Sequence, residues 1–212
     1  MGGLTRATED YLKHIWSANE WSDEPVTTTQ LARDMGLSPS TVSESIAKLA
    51  REGLVDHEKY QSIRLTDEGT THALEMVRAH RLIETFLHSR LGYSWDEIHE
   101  EADALEHVVS PRFIEAIDDL LGTPEYDPHG DPIPRRDGSL PPRQAIPLDD
   151  AAEGEAIVVR VDDSDPERLR EASRLGLYPG QTVRIEGGTI SVNGERVDAG
   201  SFVGRVWVTD NR

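Results

Sequence analysis

The chain has 212 residues, with 40 acidic against 22 basic side chains and a formal net charge of −18. It has no cysteine, which excludes disulfides, thiolate zinc sites, iron–sulfur clusters and cysteine nucleophiles. No apolar run reaches the roughly 20 residues of a membrane span, and the first residues carry no signal-peptide pattern, so a soluble cytoplasmic protein is expected.

Leu4, Ala7, Tyr11, Leu12, Ile15 and Trp16 recur at helical spacing, giving a first helix with one buried face. After the loop around Asp23-Glu24-Pro25, Thr27 to Met35 read as a short helix ended by Gly36. Ser38-Pro39 then supplies an N-cap followed by proline at the first helical position. The helix it opens carries Val42, Ile46 and Leu49 inward and stops at Gly53. Two short strands follow, Leu54 to Glu58 and Ser62 to Thr66, joined through Lys59-Tyr60-Gln61.

Asp67 to Leu91 is a long amphipathic stretch ending at Gly92, and Ser94-Trp95-Asp96-Glu97 reads as a capping box opening a helix through Val109. Ser110-Pro111 opens another, ended by Gly122. The run from Asp127 to Pro134 cannot be helical, and the proline-rich chain onward to Pro147 resembles a linker. From about Glu153 the pattern turns to strands: Ala156–Val161, Thr182–Ile185, Thr189–Val192, Glu195–Val197 and Val203–Val208, with a helix over Pro166–Leu175. Asn193-Gly194 between two of them is a strong hairpin signal. Five short strands in this span suggest a small SH3-like barrel. The expected fold is mainly α with small β parts, divided into a DNA-binding domain (1–74), a helical domain (75–140), a linker (141–152) and the SH3-like domain (153–212).

Helix, glycine turn, Ser-Pro-capped helix and hairpin is the order of a winged helix-turn-helix. Ser38, Ser40, Thr41 and Ser43 put hydroxyls at the N-terminal turns of the second helix. There the free N–H groups favour phosphate, and short side chains reach base edges. Thr28, Pro39, Glu44 and Lys48 complete the candidate contacts on the helices; Lys59, Tyr60, Gln61 and Arg64 do so on the wing. The competing reading is a three-helix core whose hydroxyls only cap. The acidity opposes indiscriminate nucleic-acid binding without excluding a small reading face.

Negative charge concentrates in residues 75–150, with 7 basic and 17 acidic groups, net −10. His80 and Glu84 stand four apart there, and His99, Asp103, Glu106 and His107 follow at steps of four, three and four. On a helix that spacing makes one stripe of oxygen and imidazole donors, suited to Mn²⁺, Fe²⁺ or their surrogates Co²⁺ and Ni²⁺. A solvated face with chance histidines remains the alternative. A metal-dependent enzyme is a further one, although no HExxH motif, nucleophile or glycine-rich substrate loop accompanies the stripe.

The combination resembles the metal-dependent repressors of the diphtheria-toxin-repressor family, and within it the manganese-responsive MntR branch. The resemblance runs along the whole chain. It rests on Thr8-Glu9-Asp10-Tyr11-Leu12, Ser40-Thr41-Val42-Ser43, His80-Arg81-Leu82, His99 through Glu106-His107-Val108, and His129-Gly130-Asp131-Pro132-Ile133-Pro134. It implies a non-enzymatic homodimer that binds palindromic operator DNA, with Mn²⁺ as co-repressor at two sites per subunit, controlling metal-uptake genes. An iron-dependent repressor of the same family is the runner-up. By position, Asp10, Asp103, Glu106 and His107 match the family's primary site, and His80, Glu84 and His99 its ancillary site. Alignment on Pro179-Gly180 points to residues 163–168 for an SH3-domain donor, with Asp165 or Glu167 as the expected ligand.

Iron-type relatives carry methionine and cysteine where this chain has Asp10 and Asp103, and harder donors favour Mn²⁺. Short manganese sensors have glutamate where Lys13 stands, and family recognition helices often have glutamine at Glu44. The resemblance also implies a mechanism: a metal bridging Asp10 to ligands on the dimerisation helices would restrict the recognition helices to spacings matching grooves about 34–36 Å apart.

Overall fold

The computed structural model describes residues 4–22, 24–57, 62–142, 145–202 and 204–209. The chain separates into two compact units, residues 1–79 with 136–138, and residues 80–135 with 139–212.

The first unit contains α1 (Arg6–Glu20), α2 (Thr28–Asp34), α3 (Pro39–Arg51), the two-residue strands β1 (Val55–Asp56) and β2 (Arg64–Leu65), and the start of α4 (Asp67–Phe86). Each of the first three helices is opened by a hydroxyl that accepts from a backbone N–H of its first turn: Thr5 from Thr8, Thr27 from Gln30, Ser38 from Thr41. Pro39 costs nothing at the first helical position, where its missing N–H would have had no helical partner. The apolar stripes of the helices meet in one core around Leu12, Ile15, Leu31, Val42, Ile46 and Leu49. Burying each large side chain of this set contributes about 1.5–3 kcal/mol. β1 and β2 pair antiparallel, Val55 opposite Leu65. Thr66 then joins two elements: its hydroxyl donates to Gly53 O and accepts from Gly69 N–H at the head of α4. Gly69 is required there, since a Cβ would stand 2.0 Å from Leu54 O.

In the second unit α4 continues to Phe86 and widens into a π-helical turn, Leu87–Leu91, closed by Gly92 in the left-handed region. Helices α5 (Ile98–Leu105) and α6 (Pro111–Leu121) follow. Only half of the expected capping box forms: Ser94 N–H donates to the Glu97 carboxylate, but the Ser94 hydroxyl donates to that same carboxylate and Glu97 N–H donates to Ser94 O, so residues 95–97 form a turn and α5 ends at Leu105, short of Val109. Ser110 caps α6, and Gly122 at φ 79° ends it.

The β-rich end forms a sheet of strand order β3-β8-β4-β5-β6-β7: β3 (Ile146–Pro147), β4 (Gly154–Val161), β5 (Thr182–Glu186), β6 (Thr189–Val192), β7 (Glu195–Asp198) and β8 (Val206–Val208), with α7 (Pro166–Leu175) between β4 and β5. All neighbours are antiparallel. Asn193 and Gly194, both at positive φ, turn β6 into β7 as the sequence signals. Strand β3 comes from the segment read as a linker, with Pro147 opposite Trp207 on the sheet edge.

The irregular run 127–131 is fixed by its own side chains. Asp127 Oδ1 accepts from the N–H groups of His129 and Asp131, both at 2.9 Å. Gly130, at φ 93°, approaches β4 so closely that a Cβ would lie 1.9 Å from Val159 O. Gly130→Ala therefore combines backbone strain with a backbone clash. It is expected to cost ~3 kcal/mol or more in urea unfolding; a loss below 1 kcal/mol would show that the turn can move away from β4.

Candidate functional site

The candidate nucleic-acid contacts of the first unit lie mainly on the outer side of α3. Ser38, Pro39, Ser40, Thr41, Ser43, Glu44 and Lys48 are all exposed, as is Arg64 on β2, and Thr28 is half-buried at the head of α2. The Ser38 hydroxyl also contacts those of Ser40 and Thr41, at 2.8 and 2.9 Å. Lys48 pairs at 3.7 Å with Glu52, one turn on. Lys59, Tyr60 and Gln61 lie outside the described residues.

In the second unit the donors on α4 and α5 converge. Glu84 Oε1 lies 3.0 Å from His80 Nε2 and 3.2 Å from His99 Nδ1, and those two ring nitrogens are 3.2 Å apart. The other face of His80 meets Glu106 Oε2 at 2.6 Å and Asp103 Oδ1 at 3.4 Å, and His107 Nε2 lies 3.3 Å from Glu106 Oε1. Beyond the SH3-like strand β4, Asp163 Oδ2 reaches His99 Nδ1 at 3.1 Å and His129 Nδ1 at 3.7 Å. Within this unit, two groupings among the described residues have ligand atoms all within 4.8 Å of one another: His80, His99 and Asp103, and Glu84, His129 and Asp163.

Their electrostatics follow from burial with opposing neighbours. Burial alone lowers His99, but hydrogen bonds to Asp163 and Glu84 outweigh it and push its pKa up to about 11. Burial likewise raises the Glu84 and Asp163 carboxyls, yet the surrounding imidazoles hold both well below the usual carboxylate range. Asp127 goes the other way: burial first, then the charge of Asp131, hold its carboxyl well above the ordinary value. A proton on His99 thus occupies the cluster where a cation's charge would serve the same carboxylates. The residues fit a divalent ion on a more direct ground. Glu84 Oε2 and His129 Nδ1 are buried and have no hydrogen-bond partner, which is costly unless something else meets them. His129 Nε2 lies 3.0 Å from Trp95 O, so it must carry the hydrogen, and a neutral ring presents its lone pair at Nδ1.

The N-terminal domain model of the iron-dependent repressors matches residues 3–63, their metal-binding and dimerisation domain matches 66–135, and an FeoA domain matches 146–197. The diphtheria toxin repressor of Corynebacterium efficiens is 30% identical over 220 residues, covering 100% of this chain and 90% of its own. The chain belongs to the diphtheria-toxin-repressor family. It is thus a metal-dependent DNA-binding transcriptional repressor built from a winged helix-turn-helix, a helical domain and an SH3-like FeoA domain. Solved structures similar throughout include the following two. A manganese-dependent transcriptional repressor in complex with manganese shares 42% identity, with a TM-score of 0.88 over 96% of this chain and 99% of its own. The manganese regulator SloR shares 33%, with a TM-score of 0.82 over 98% and 100%.

Within the repressor's second unit, the helical donors named from spacing do come together: His80, Glu84, His99 and Asp103 in contact, with Glu106 and His107 beside them. The expected SH3-domain donors do not join them. Asp165 caps α7, its Oδ1 accepting from the N–H groups of Glu167 and Arg168, and Glu167 faces outward on an open cavity of about 580 Å³ with Arg170 and Arg174. Asp163, two residues past the end of β4 and two before the α7 cap, reaches the cluster instead. His129 was not named as a donor from the sequence, and its helix-free surroundings gave no periodicity to mark it. The signal available was a histidine fixed between two aspartates and two prolines.

Proposed function

We propose that this repressor responds to Mn²⁺, with Glu84, His129 and Asp163 as ligands of one ion and His80 and His99 bordering it. The observation carrying the reading is the pair of buried atoms without a hydrogen-bond partner, Glu84 Oε2 and His129 Nδ1, within a set made only of carboxylates and imidazoles. Oxygen-rich donor sets without sulfur suit Mn²⁺ better than the softer metals. The similarity to a repressor solved with manganese supports it.

Asp103, Glu106 and His107, with Asp10, are proposed as a second ligand set on the family resemblance. The same reading makes the protein a homodimer on a palindromic operator. Support comes from Val108, Phe113 and Leu120 on and before α6, which are 74, 46 and 58 % exposed in the single chain. Apolar side chains so open to water are what a twofold helical interface covers.

A bound divalent ion would supply positive charge among the carboxylates of a chain whose net charge is −18. The chain's own residues do the rest. The exposed hydroxyls of α3 meet the duplex, and Glu44, which repels phosphate, limits binding to sites offering it an amino group to accept from.

Mobility shifts on promoter DNA of metal-uptake genes test the reading, comparing Mn²⁺, anaerobic Fe²⁺, Zn²⁺ and chelator at matched free concentrations. Operator affinity with Mn²⁺ is expected to exceed that with chelator by about 100-fold. Equal activation by Fe²⁺ at lower free concentration would make this an iron regulator, and chelator-insensitive binding would remove the metal from the mechanism.

A further inference from the structure

Three segments remote in sequence supply the Glu84, His129 and Asp163 donors: helix α4, the 127–131 turn and the chain leaving β4. One carboxylate outside the cluster touches all three. Asp131, in the turn with His129, has Oδ1 2.6 Å from Arg160 Nε on β4 and 3.7 Å from an Arg81 terminal nitrogen on α4. Arg81 adjoins His80 on the helix that carries Glu84, and Arg160 precedes Asp163 by three positions. None of the three side chains is more than 8 % exposed. Both guanidiniums are held on further sides, Arg81 donating to Pro132 O at 2.7 Å and Arg160 lying 4.3 Å over the Trp207 ring. The backbone follows the same line, Val161 N–H donating to His129 O at 2.9 Å.

A buried ion network of this kind seldom adds net stability over apolar residues of the same volume. What it does provide is a fixed geometry. The cluster needs one, because the Glu84 and Asp163 carboxylates repel each other and are contributed by segments with separate freedom to move. We propose that Asp131, with Arg81 and Arg160, is a positioning residue of the metal centre: a buried guanidinium–carboxylate–guanidinium clamp that sets Glu84, His129 and Asp163 at ligand spacing in the metal-free chain. This rests on the reading of those three residues as metal ligands. With the clamp removed the ligands persist, but binding must assemble them, so affinity falls while the number of ions bound stays the same.

The test measures Mn²⁺ binding to the full-length, demetallated protein by calorimetry, with circular dichroism melts of each metal-free variant. Asp131→Asn and Arg160→Gln are expected to weaken Mn²⁺ about 10- to 100-fold at unchanged stoichiometry. Arg160→Lys, which keeps the charge but not the planar fork, should lose less than Arg160→Gln. A role confined to holding the fold would lower the melting temperature and leave Mn²⁺ affinity at 15 °C untouched. Affinities within about threefold of the parent in folded Asp131→Asn and Arg160→Gln overturn the clamp. Should either fail to fold, Arg160→Lys decides, parental affinity overturning the proposal. Asp163→Ala is the control for the site itself. If it binds Mn²⁺ like the parent, the ligand assignment fails; if it alone loses binding, only the clamp does.

Discussion

Glu84→Gln is expected to give a folded repressor that binds one divalent ion fewer per chain, or binds it at least ~100-fold more weakly. The amide is nearly isosteric and still accepts a hydrogen bond from an imidazole, so the packing of α4 against α5 has no reason to change. The charge is what disappears, and Glu84 is the hub for it: 1 % exposed, touching His80 and His99 through one oxygen and leaving the other without a partner. A neutral amide is a poor ligand for a hard cation, and it also ceases to support a protonated His99. Calorimetric titration of demetallated protein with Mn²⁺ reads the result as a stoichiometry. An unchanged number of ions at parental affinity would move the centre away from this cluster.

Phe113→Glu should break the dimer. Phe113 and Leu120 are seven residues apart on α6 and so share a face, with the largely exposed Val108 in the turn before it. In a twofold interface the new carboxylate appears twice, desolvated and near its own copy. A cost of ~4 kcal/mol corresponds to about a 1000-fold weaker dimer. Analytical ultracentrifugation at micromolar concentration would then find monomer where the parent is dimeric, and operator affinity would fall because paired half-sites are no longer read together. Mn²⁺ stoichiometry in the Glu84 cluster should be retained. Persistence of the dimer would place the interface on another face.

The two variants separate what a helical period can tell from what it cannot. The pairs His80/Glu84 and His99/Asp103 lie four residues apart on helices, so their shared face is set by the α-helical repeat before any packing occurs. That is why they could be named as ligands. Asp163 and His129 have no such constraint. They sit on irregular chain, and the choice of Asp163 over Asp165 or Glu167 depended on which carboxylate α7 needed as its cap. The resemblance pointed to the segment that contains Asp163, and local hydrogen bonding decided which of its carboxylates is left to face the histidines.

Local chemistry in the sequence determined most element boundaries: Ser38-Pro39 and Ser110-Pro111 as helix starts, Gly92 and Gly122 as stops, Asn193-Gly194 as a hairpin. Caps and positive-φ turns depend on neighbours a few residues away, so they can be read along the chain. Tertiary structure alone decided that His129 and Asp163 stand beside Glu84, that Ile146–Pro147 joins the sheet, and that Arg81, Asp131 and Arg160 share one buried network. Each of these is a contact between distant segments, fixed by which charges and strand edges meet when water is excluded, and no short-range pattern encodes it.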